Sequence, residues 1–326
     1  MRAWRVVGVG EPADVLRLAD VEVPEPGPGQ VRIRVSAAGI GLPDLLMCRG
    51  AYAFAPAIPF TPGQEAAGVV TAAGSGVDVP LGAAVMAVTA FPSGHGAFAG
   101  ECLAKADSVF PVPPGLDATA AAGFWIPHLT GWLGLVDRGR LADGEWLVVL
   151  GAAGGSGLAA VQLGKALGAR VVAVVGDDRR AEQCRRLGAE AVLDHRTGAL
   201  APALHELTGG RGVDVIYDPV GGALAAGAAE ALSRGGRLLA VGNASGSWAE
   251  IPADHLVRRN ASLVGVYTGG YSRAEREAVH ARLAELLSRG RLADTGTVPV
   301  PFAELPGALA QVAARTAPGK LVLTLP

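Results

Sequence analysis

The chain has 326 residues, half of them apolar and 18% charged, enough for two domains of ordinary size with a large buried core. Its formal net charge is −2 and no long basic run occurs, which argues against nucleic acid as a partner. No apolar stretch is long and uninterrupted enough to span a bilayer, and the N-terminus opens on a strand-like segment rather than a signal region, so a cytoplasmic protein without membrane insertion is expected.

Residues 1 to about 120 read as β-rich. Arg2-Ala-Trp-Arg-Val-Val7, Val31-Arg-Ile-Arg-Val35 and Gly68-Val-Val-Thr71 are short apolar alternations separated by turns. Pro24-Glu-Pro-Gly-Pro-Gly29 is a turn or a stiff connector. The three cysteines, Cys48, Cys102 and Cys184, are far apart and form no CxxC pair, so buried or free thiols are expected. The histidines at 95, 128, 195, 205, 255 and 280 form no HxxxH or HxH pair.

From Trp146 the rhythm changes. Trp146-Leu-Val-Val-Leu150 is an apolar strand, Gly151-Ala-Ala-Gly-Gly-Ser-Gly157 a glycine-rich turn opening a helix, and Arg170-Val-Val-Ala-Val-Val175 a second strand. Glycines at 151, 154 and 157 let the backbone turn tightly and approach a pyrophosphate. The helix then points the N–H groups of its first turn, around Gly154, Gly155, Ser156 and Gly157, at that anion. Further strands are expected at 191–193, 213–217, 238–241 and 263–266. With 147–150 and 171–175 they make six strands in βα order, a doubly wound parallel Rossmann sheet. An amphipathic helix at 274–288 and a last strand at 321–325 follow, and this tail is expected to return to the first domain.

The second strand ends Val174-Val175-Gly176, where an NAD site normally carries an acidic residue for the ribose hydroxyls. Asp177 and Asp178 follow, and either acid bears on that choice. Arg179, Arg180, His195 and Arg196 are candidates for an anion pocket, because guanidinium groups match phosphate geometry.

Seven blocks in order carry a resemblance: Ala37-Ala-Gly-Ile-Gly-Leu-Pro-Asp44, Arg49-Gly-Ala-Tyr52, Pro62-Gly-Gln-Glu-Ala-Ala-Gly68, the glycine turn, Gly212-Val-Asp-Val-Ile-Tyr-Asp-Pro-Val-Gly-Gly222, Gly235-Gly-Arg-Leu-Leu-Ala-Val-Gly242 and Gly319-Lys-Leu-Val-Leu323. The chain resembles the zinc-independent medium-chain dehydrogenase/reductase family of the quinone oxidoreductase, zeta-crystallin-like type. The resemblance implies a GroES-like β-rich catalytic domain at 1–124 and 268–326 and a Rossmann domain at 125–267. It also implies NADPH and a homodimer, here joined through the strand at 263–267.

Zinc-containing relatives have Cys where Gly41 stands and His where Gln64 stands, and they carry a four-cysteine lobe of which only Cys102 is present. Glu65 alone cannot make a zinc site, so no metal is expected. A quinone or enone is electron-poor enough to take a hydride without a Lewis acid. By resemblance, Arg180 meets the 2′-phosphate of NADPH and His195 stands where a family tyrosine assists. Thr130 touches the nicotinamide, and the backbone of Gly242, Asn243, Val266 and Tyr267 reaches its amide. Tyr52 lines the substrate cleft as a hydrogen-bond or proton donor. The family usually has Ser where Asp177 stands and Asn where Gly41 stands. The leading reading is an NADPH-dependent reductase of quinones or other α,β-unsaturated carbonyls. The alternatives are an NADPH-dependent 2-enoyl thioester reductase and a weakly catalytic cofactor-binding protein.

Overall fold

The computed structural model describes residues 1–176 and 178–325, and for Asp178 and Arg179 the backbone alone. The chain folds as two compact units, residues 1–126 with 294–326 and residues 127–293.

In the first unit β1 (Arg2–Val6) leads through α1 (Pro12–Val15) to an antiparallel partner, β2 (Leu16–Asp20). The ten-residue β3 (Gln30–Gly39) buries Val31, Ile33 and Val35 on one face and turns Arg32 and Arg34 outward, the alternation read from the sequence. After α2 (Leu42–Cys48), β3 pairs antiparallel with β4 (Glu65–Ala73). Next come β5 (Ala84–Val88), β6 (Glu101–Lys105), β7 (Val109–Pro111) and α3 (Ala118–Trp132), the last running on into a π-helical turn, Leu133–Arg138.

The second unit is a repeating strand–helix series: β8 (Trp146–Leu150), α4 (Gly155–Ala166), β9 (Arg170–Val175), α5 (Asp178–Arg186), β10 (Ala191–Asp194), α6 (Leu200–Leu207), β11 (Val213–Asp218), α7 (Gly222–Ala229), β12 (Leu232–Ala240), α8 (Ala253–Arg259) and β13 (Ser262–Gly265). The strands pair in the order β10-β9-β8-β11-β12-β13, all parallel. This is the doubly wound Rossmann sheet expected. Every residue of β8 is buried, as a central parallel strand covered on both faces requires. β12 starts earlier than expected, because Leu232 pairs with Val213 before a register shift that takes up Gly235 and Gly236.

The helix expected at 274–288 forms as α9 (Arg273–Ser288), closed at its start by a capping box between Ser272 and Glu275. It lies in the second unit, not the first, and the unit runs on to Ala293. Val279 and Leu283 are its buried face. The Gln162 side chain in α4 donates to the Ala293 carbonyl (3.2 Å) and accepts its N–H (2.9 Å). Arg291 donates to the Ala166 carbonyl (2.8 Å). Those bonds tie the segment to α4, so only residues from 294 onward return to the first unit. There β14 (Val298–Pro301), α10 (Leu305–Ala314) and β15 (Leu321–Thr324) complete a seven-stranded sheet, β15 pairing antiparallel with β3.

All three cysteines are free and buried. Burial pushes the Cys48 thiol up to about 12 and Cys184 up to about 11. Among the described residues no helix is long and apolar enough to cross a membrane.

Candidate functional site

At the carboxyl end of β8, Gly151 takes φ +57°, a left-handed turn that glycine adopts without strain. Gly154 is the extended N-cap of α4, and Gly155, Ser156 and Gly157 form its first turn. A Cβ on Gly157 would strike the Gly151 carbonyl oxygen and lie 2.6 Å from the Ala152 Cα, so the turn closes only around glycine. Gly154 differs. A Cβ there would touch only the Gly151 oxygen, at an ordinary 3.4 Å, so this glycine keeps space open rather than letting the chain fold. First-turn N–H groups have no partner inside their helix, and the helix dipole adds positive potential, so the open space suits a pyrophosphate. The Ser156 hydroxyl lies 2.8 Å from the Tyr217 hydroxyl. Tyr217 is fully buried in β11, and burial pushes its phenol up, so it stays neutral. Sequence reasoning gave Tyr217 no role; its one signal was a hydroxyl in an otherwise aliphatic stretch near the end of a core strand.

At the end of β9, Val175 is followed by Gly176. Asp177 lies outside the described residues, as do the side chains of Asp178 and Arg179. Arg180 is half-buried in α5. The His195 N–H donates to the Val175 carbonyl (3.1 Å), and its ring covers Gly176: a Cβ there would meet His195 Nε2 at 2.8 Å. Arg196, next in sequence, bonds the Asp194 carboxylate. Its Nη2 and Nε donate to the Asp194 carboxylate at 2.7 and 3.1 Å, and its backbone N–H donates there as well. The Arg196 guanidinium holds the Asp194 carboxyl down at about 2. Of the four residues expected in an anion pocket, Arg196 is thus engaged by Asp194, and the Arg179 side chain lies outside the described residues.

Gly242 and Asn243 follow the end of β12, and Val266 and Tyr267 follow β13. The Gly242 N–H donates to the Asp218 carbonyl (3.2 Å) and the Val266 N–H to the Ala240 carbonyl (3.0 Å), so those two donors are taken within the sheet. The Asn243 carbonyl accepts the Gly246 N–H (2.8 Å). Thr130 is half-buried in α3. The glycine turn, Gly176, His195, Gly242, Asn243, Val266 and Tyr267 thus share the carboxyl edge of one parallel sheet, the edge at which such sheets bind ligands.

The first unit holds Tyr52, half-buried with its ring edge-on to Phe54 (centroids 5.9 Å) and tilted against Phe91 (6.2 Å). It also holds a buried charge cluster that sequence reasoning missed. Asp44 accepts the Gly41 N–H (2.8 Å) and the Gly63 N–H (3.1 Å), joining the two loops. Burial raises its carboxyl to about 7, against the lowering effect of the Gly41 N–H and of the Lys320 charge. Lys320 donates to Glu65, and both are buried. Glu65 Oε2 and Gln64 Nε2 are buried without a partner among the described residues. Room for the pair depends on Gly39, where a Cβ would lie 3.0 Å from Glu65, and on Gly123, where one would lie 3.1 Å from Lys320. The available signal was a charge at the head of each of two apolar runs, Glu65-Ala-Ala-Gly-Val-Val70 and Lys320-Leu-Val-Leu323.

Residues 27–114 match the alcohol dehydrogenase GroES-like domain family and residues 155–285 the zinc-binding dehydrogenase family. Quinone oxidoreductase-like protein 2 of Bos taurus is 31% identical over 292 residues, 88% of this chain and 82% of that protein. The chain belongs to the quinone oxidoreductase family of medium-chain dehydrogenases/reductases. Quinone oxidoreductase of Escherichia coli, solved complexed with NADPH, is 27% identical, with both chains fully covered and a TM-score of 0.90. A phenolphthiocerol/phthiocerol polyketide synthase of Mycobacterium tuberculosis is 38% identical over 207 residues, 63% of this chain and 9% of that much longer protein. Although the second matched family is described as zinc-binding, this quinone oxidoreductase homologue has among its described residues no group of three or more His, Cys, Asp or Glu disposed to hold a metal ion.

Proposed function

We propose that this chain is an NADPH-dependent oxidoreductase that reduces a quinone or another α,β-unsaturated carbonyl without a metal. The observation that carries the reading is the cradle at the end of β8: a turn that only glycine closes at 157, and open space at Gly154 before the first turn of α4. The pyrophosphate of NADPH would lie on Gly154, Gly155, Ser156 and Gly157. Its 2′-phosphate would face Arg180 and His195 beside Gly176, and its nicotinamide end Thr130, Gly242, Asn243, Val266 and Tyr267. The Escherichia coli relative solved with NADPH supports the same cofactor here. Bound NADPH supplies the hydride; the protein holds and orients it and excludes water. Tyr52 is the proposed hydrogen-bond or proton donor to the acceptor oxygen. The proposed setting is the cytoplasm, where the three free thiols stay reduced.

NADPH oxidation with a quinone, an enone and an enoyl thioester, each repeated with NADH, tests the reading. NADPH is expected to be preferred. Arg180→Ala should weaken NADPH by about 1.5–3 kcal/mol, the value of a charge-assisted hydrogen bond, and leave NADH unchanged; equal effects on the two cofactors would remove Arg180 from the site. Tyr52→Phe should slow enones more than quinones, because an enolate oxygen is the more basic product. The polyketide synthase relative favours the enoyl thioester as the second reading, and turnover on the thioester alone would select it. Binding of NADPH with no turnover on any acceptor would leave a cofactor-binding protein.

Gly41 and Gln64 stand where zinc-containing relatives carry ligands, and the proposed acceptors need no Lewis acid. Elemental analysis should therefore find far less than one metal per chain, and activity should survive a chelator. Stoichiometric zinc with chelator-sensitive turnover would overturn the metal-free reaction.

We also infer a homodimer through β13. It is an edge strand with Leu263 47% exposed and Tyr267 beyond it 64% exposed. Such an edge is a template for pairing with a second copy. Sedimentation at micromolar concentration should give twice the chain mass, and a monomer there would refute it.

A further inference from the structure

We infer that Asp218 is a positioning residue for the nicotinamide end of the cofactor: its carboxyl folds the turn at 218–221, and that turn is the template on which the loop carrying Gly242 and Asn243 is laid. The inference rests on the cofactor reading proposed above and adds to it a side chain that acts through that loop.

β11 ends on Asp218, and Pro219-Val-Gly-Gly222 follows. An aspartate at the head of a turn can accept the N–H groups two and three residues on, because its side chain is short. Asp218 Oδ1 does so, taking the Val220 N–H (2.9 Å) and the Gly221 N–H (2.8 Å). Pro219 between them has no N–H to satisfy. Gly221 then takes φ +73° and caps α7. The Asp218 side chain is buried, and its Oδ2 has no partner among the described residues. Burial raises the carboxyl above its ordinary value and so favours the neutral acid.

The loop after β12 lies along this turn. The Val241 and Gly242 N–H groups donate to the Asp218 carbonyl (2.9 and 3.2 Å), the Ala244 N–H to the Pro219 carbonyl (3.1 Å) and the Ser245 N–H to the Val220 carbonyl (2.8 Å). Four N–H groups of residues 241–245 thus rest on three successive carbonyls. The fit is close. A Cβ on Gly242 would lie 3.1 Å from the Pro219 carbonyl oxygen, and one on Gly221 would strike the Ser247 carbonyl oxygen. The glycine turn after β8 is held by other bonds, from the Ala152 N–H to the Val174 carbonyl (3.0 Å) and from the Gly154 N–H to the Gly151 carbonyl (3.0 Å). Val220 reaches toward that turn with a methyl group, 2.8 Å from where a Cβ on Gly151 would stand, but neither of those two bonds runs through residues 218–221.

Loss of the carboxyl therefore acts on one end of the cofactor edge. Without Oδ1 the Val220 and Gly221 N–H groups lose their acceptor, the turn loosens, and the loop with Gly242 and Asn243 loses its fixed template. The pyrophosphate turn keeps its own bonds. Serine at 218 can close the same kind of turn, more weakly than aspartate. Asparagine keeps an oxygen in the place of Oδ1 and puts its amide nitrogen where Oδ2 bonds nothing among the described residues.

The experiment is calorimetric titration of the unmodified chain, Asp218→Asn, Asp218→Ser and Asp218→Ala with NADPH and with adenosine 2′,5′-bisphosphate, the half of the cofactor without nicotinamide, together with the emission spectrum of bound NADPH. The NADPH Kd should rise about tenfold in Asp218→Ala and about threefold in Asp218→Ser, the scale of one lost hydrogen bond, and return to within about twofold of the parent in Asp218→Asn. The bisphosphate Kd should stay within about twofold in all three. Nicotinamide emission should move toward that of free cofactor in the same order. A role confined to stability would lower the unfolding midpoint and the number of sites per chain, and would leave the Kd and emission of folded molecules unchanged. If Asp218→Ala does not fold, Asp218→Ser carries the test. Equal weakening of both ligands, unchanged NADPH Kd and emission in Asp218→Ser, or an Asp218→Asn as weak as Asp218→Ser would overturn the positioning role and leave the cofactor reading standing. A parent chain that binds no NADPH would overturn both.

Discussion

Replacing Lys320 by Met is expected to destabilise the protein by about 3–5 kcal/mol, the usual consequence of stranding a buried charge. Lys320 is 6% exposed and its partner Glu65 7%. Glu65 Oε2 already lacks a partner among the described residues, so Lys320 satisfies the other half of a buried carboxylate. Asp44 is also buried and feels both charges. Removing the ammonium leaves two carboxyl groups facing each other without a cation. The midpoint of thermal unfolding should drop by roughly 6–20 °C. Glu65→Gln with Lys320→Met should recover part of the loss, because the stranded charge is gone. The pH dependence has a fixed sign. In the parent, burial raises the Asp44 carboxyl from 3.8 to about 7, so the folded chain holds a proton that the unfolded chain releases between those values, and this group's contribution to stability falls as pH rises from about 4 to about 7. Without Lys320 that fall should steepen and the deficit should be largest above pH 7. A variant that melts within a degree or two of the parent at pH 8 would show that the cluster is hydrated and that its charges do not depend on one another.

The sheet of the second unit was legible because its central strands β8 and β9 are buried and read as nearly unbroken apolar runs, and because the turn after β8 needs glycine at fixed places. What periodicity could not supply was ownership. The amphipathic pattern of 274–288 says helix, yet which unit it joins is decided by Gln162, which in sequence only interrupts an apolar helix and in the fold holds the Ala293 backbone by both its amide groups. Basic residues near a strand end are equally ambiguous. Arg180 and Arg196 look alike in sequence, but Asp194, two residues before Arg196, engages that guanidinium. The Glu65–Lys320 pair spans 255 residues. No local pattern links its members; only the antiparallel pairing of β3 with β4 and with β15 brings the heads of the two apolar runs together. Ser156 was read for its place in the first turn of α4, and nothing local showed that its hydroxyl lies against Tyr217, 61 residues away in the chain.

The two glycines at the start of α4 should separate folding from binding. In Gly157→Ala the new Cβ meets only backbone, the Gly151 carbonyl and Ala152, so no rotamer change relieves it and the turn must open. Alanine is the better helix former by about 1 kcal/mol, so propensity alone would stabilise the variant; a loss of stability therefore measures the clash. Both NADPH and NADH should bind at least tenfold more weakly, since each needs the same pyrophosphate cradle. Gly154→Ala should behave otherwise. Its φ of −81° suits any residue, and its Cβ would find one ordinary contact in the protein, so the unfolding midpoint should stay within about 2 °C of the parent. The methyl group would nevertheless project into the space before the first turn of α4, and both cofactors should again lose at least tenfold. This pattern differs from that of Arg180→Ala, which should touch NADPH alone. If Gly154→Ala binds both cofactors as the parent does, the pyrophosphate does not lie on this turn, and the space left by Gly154 has another use.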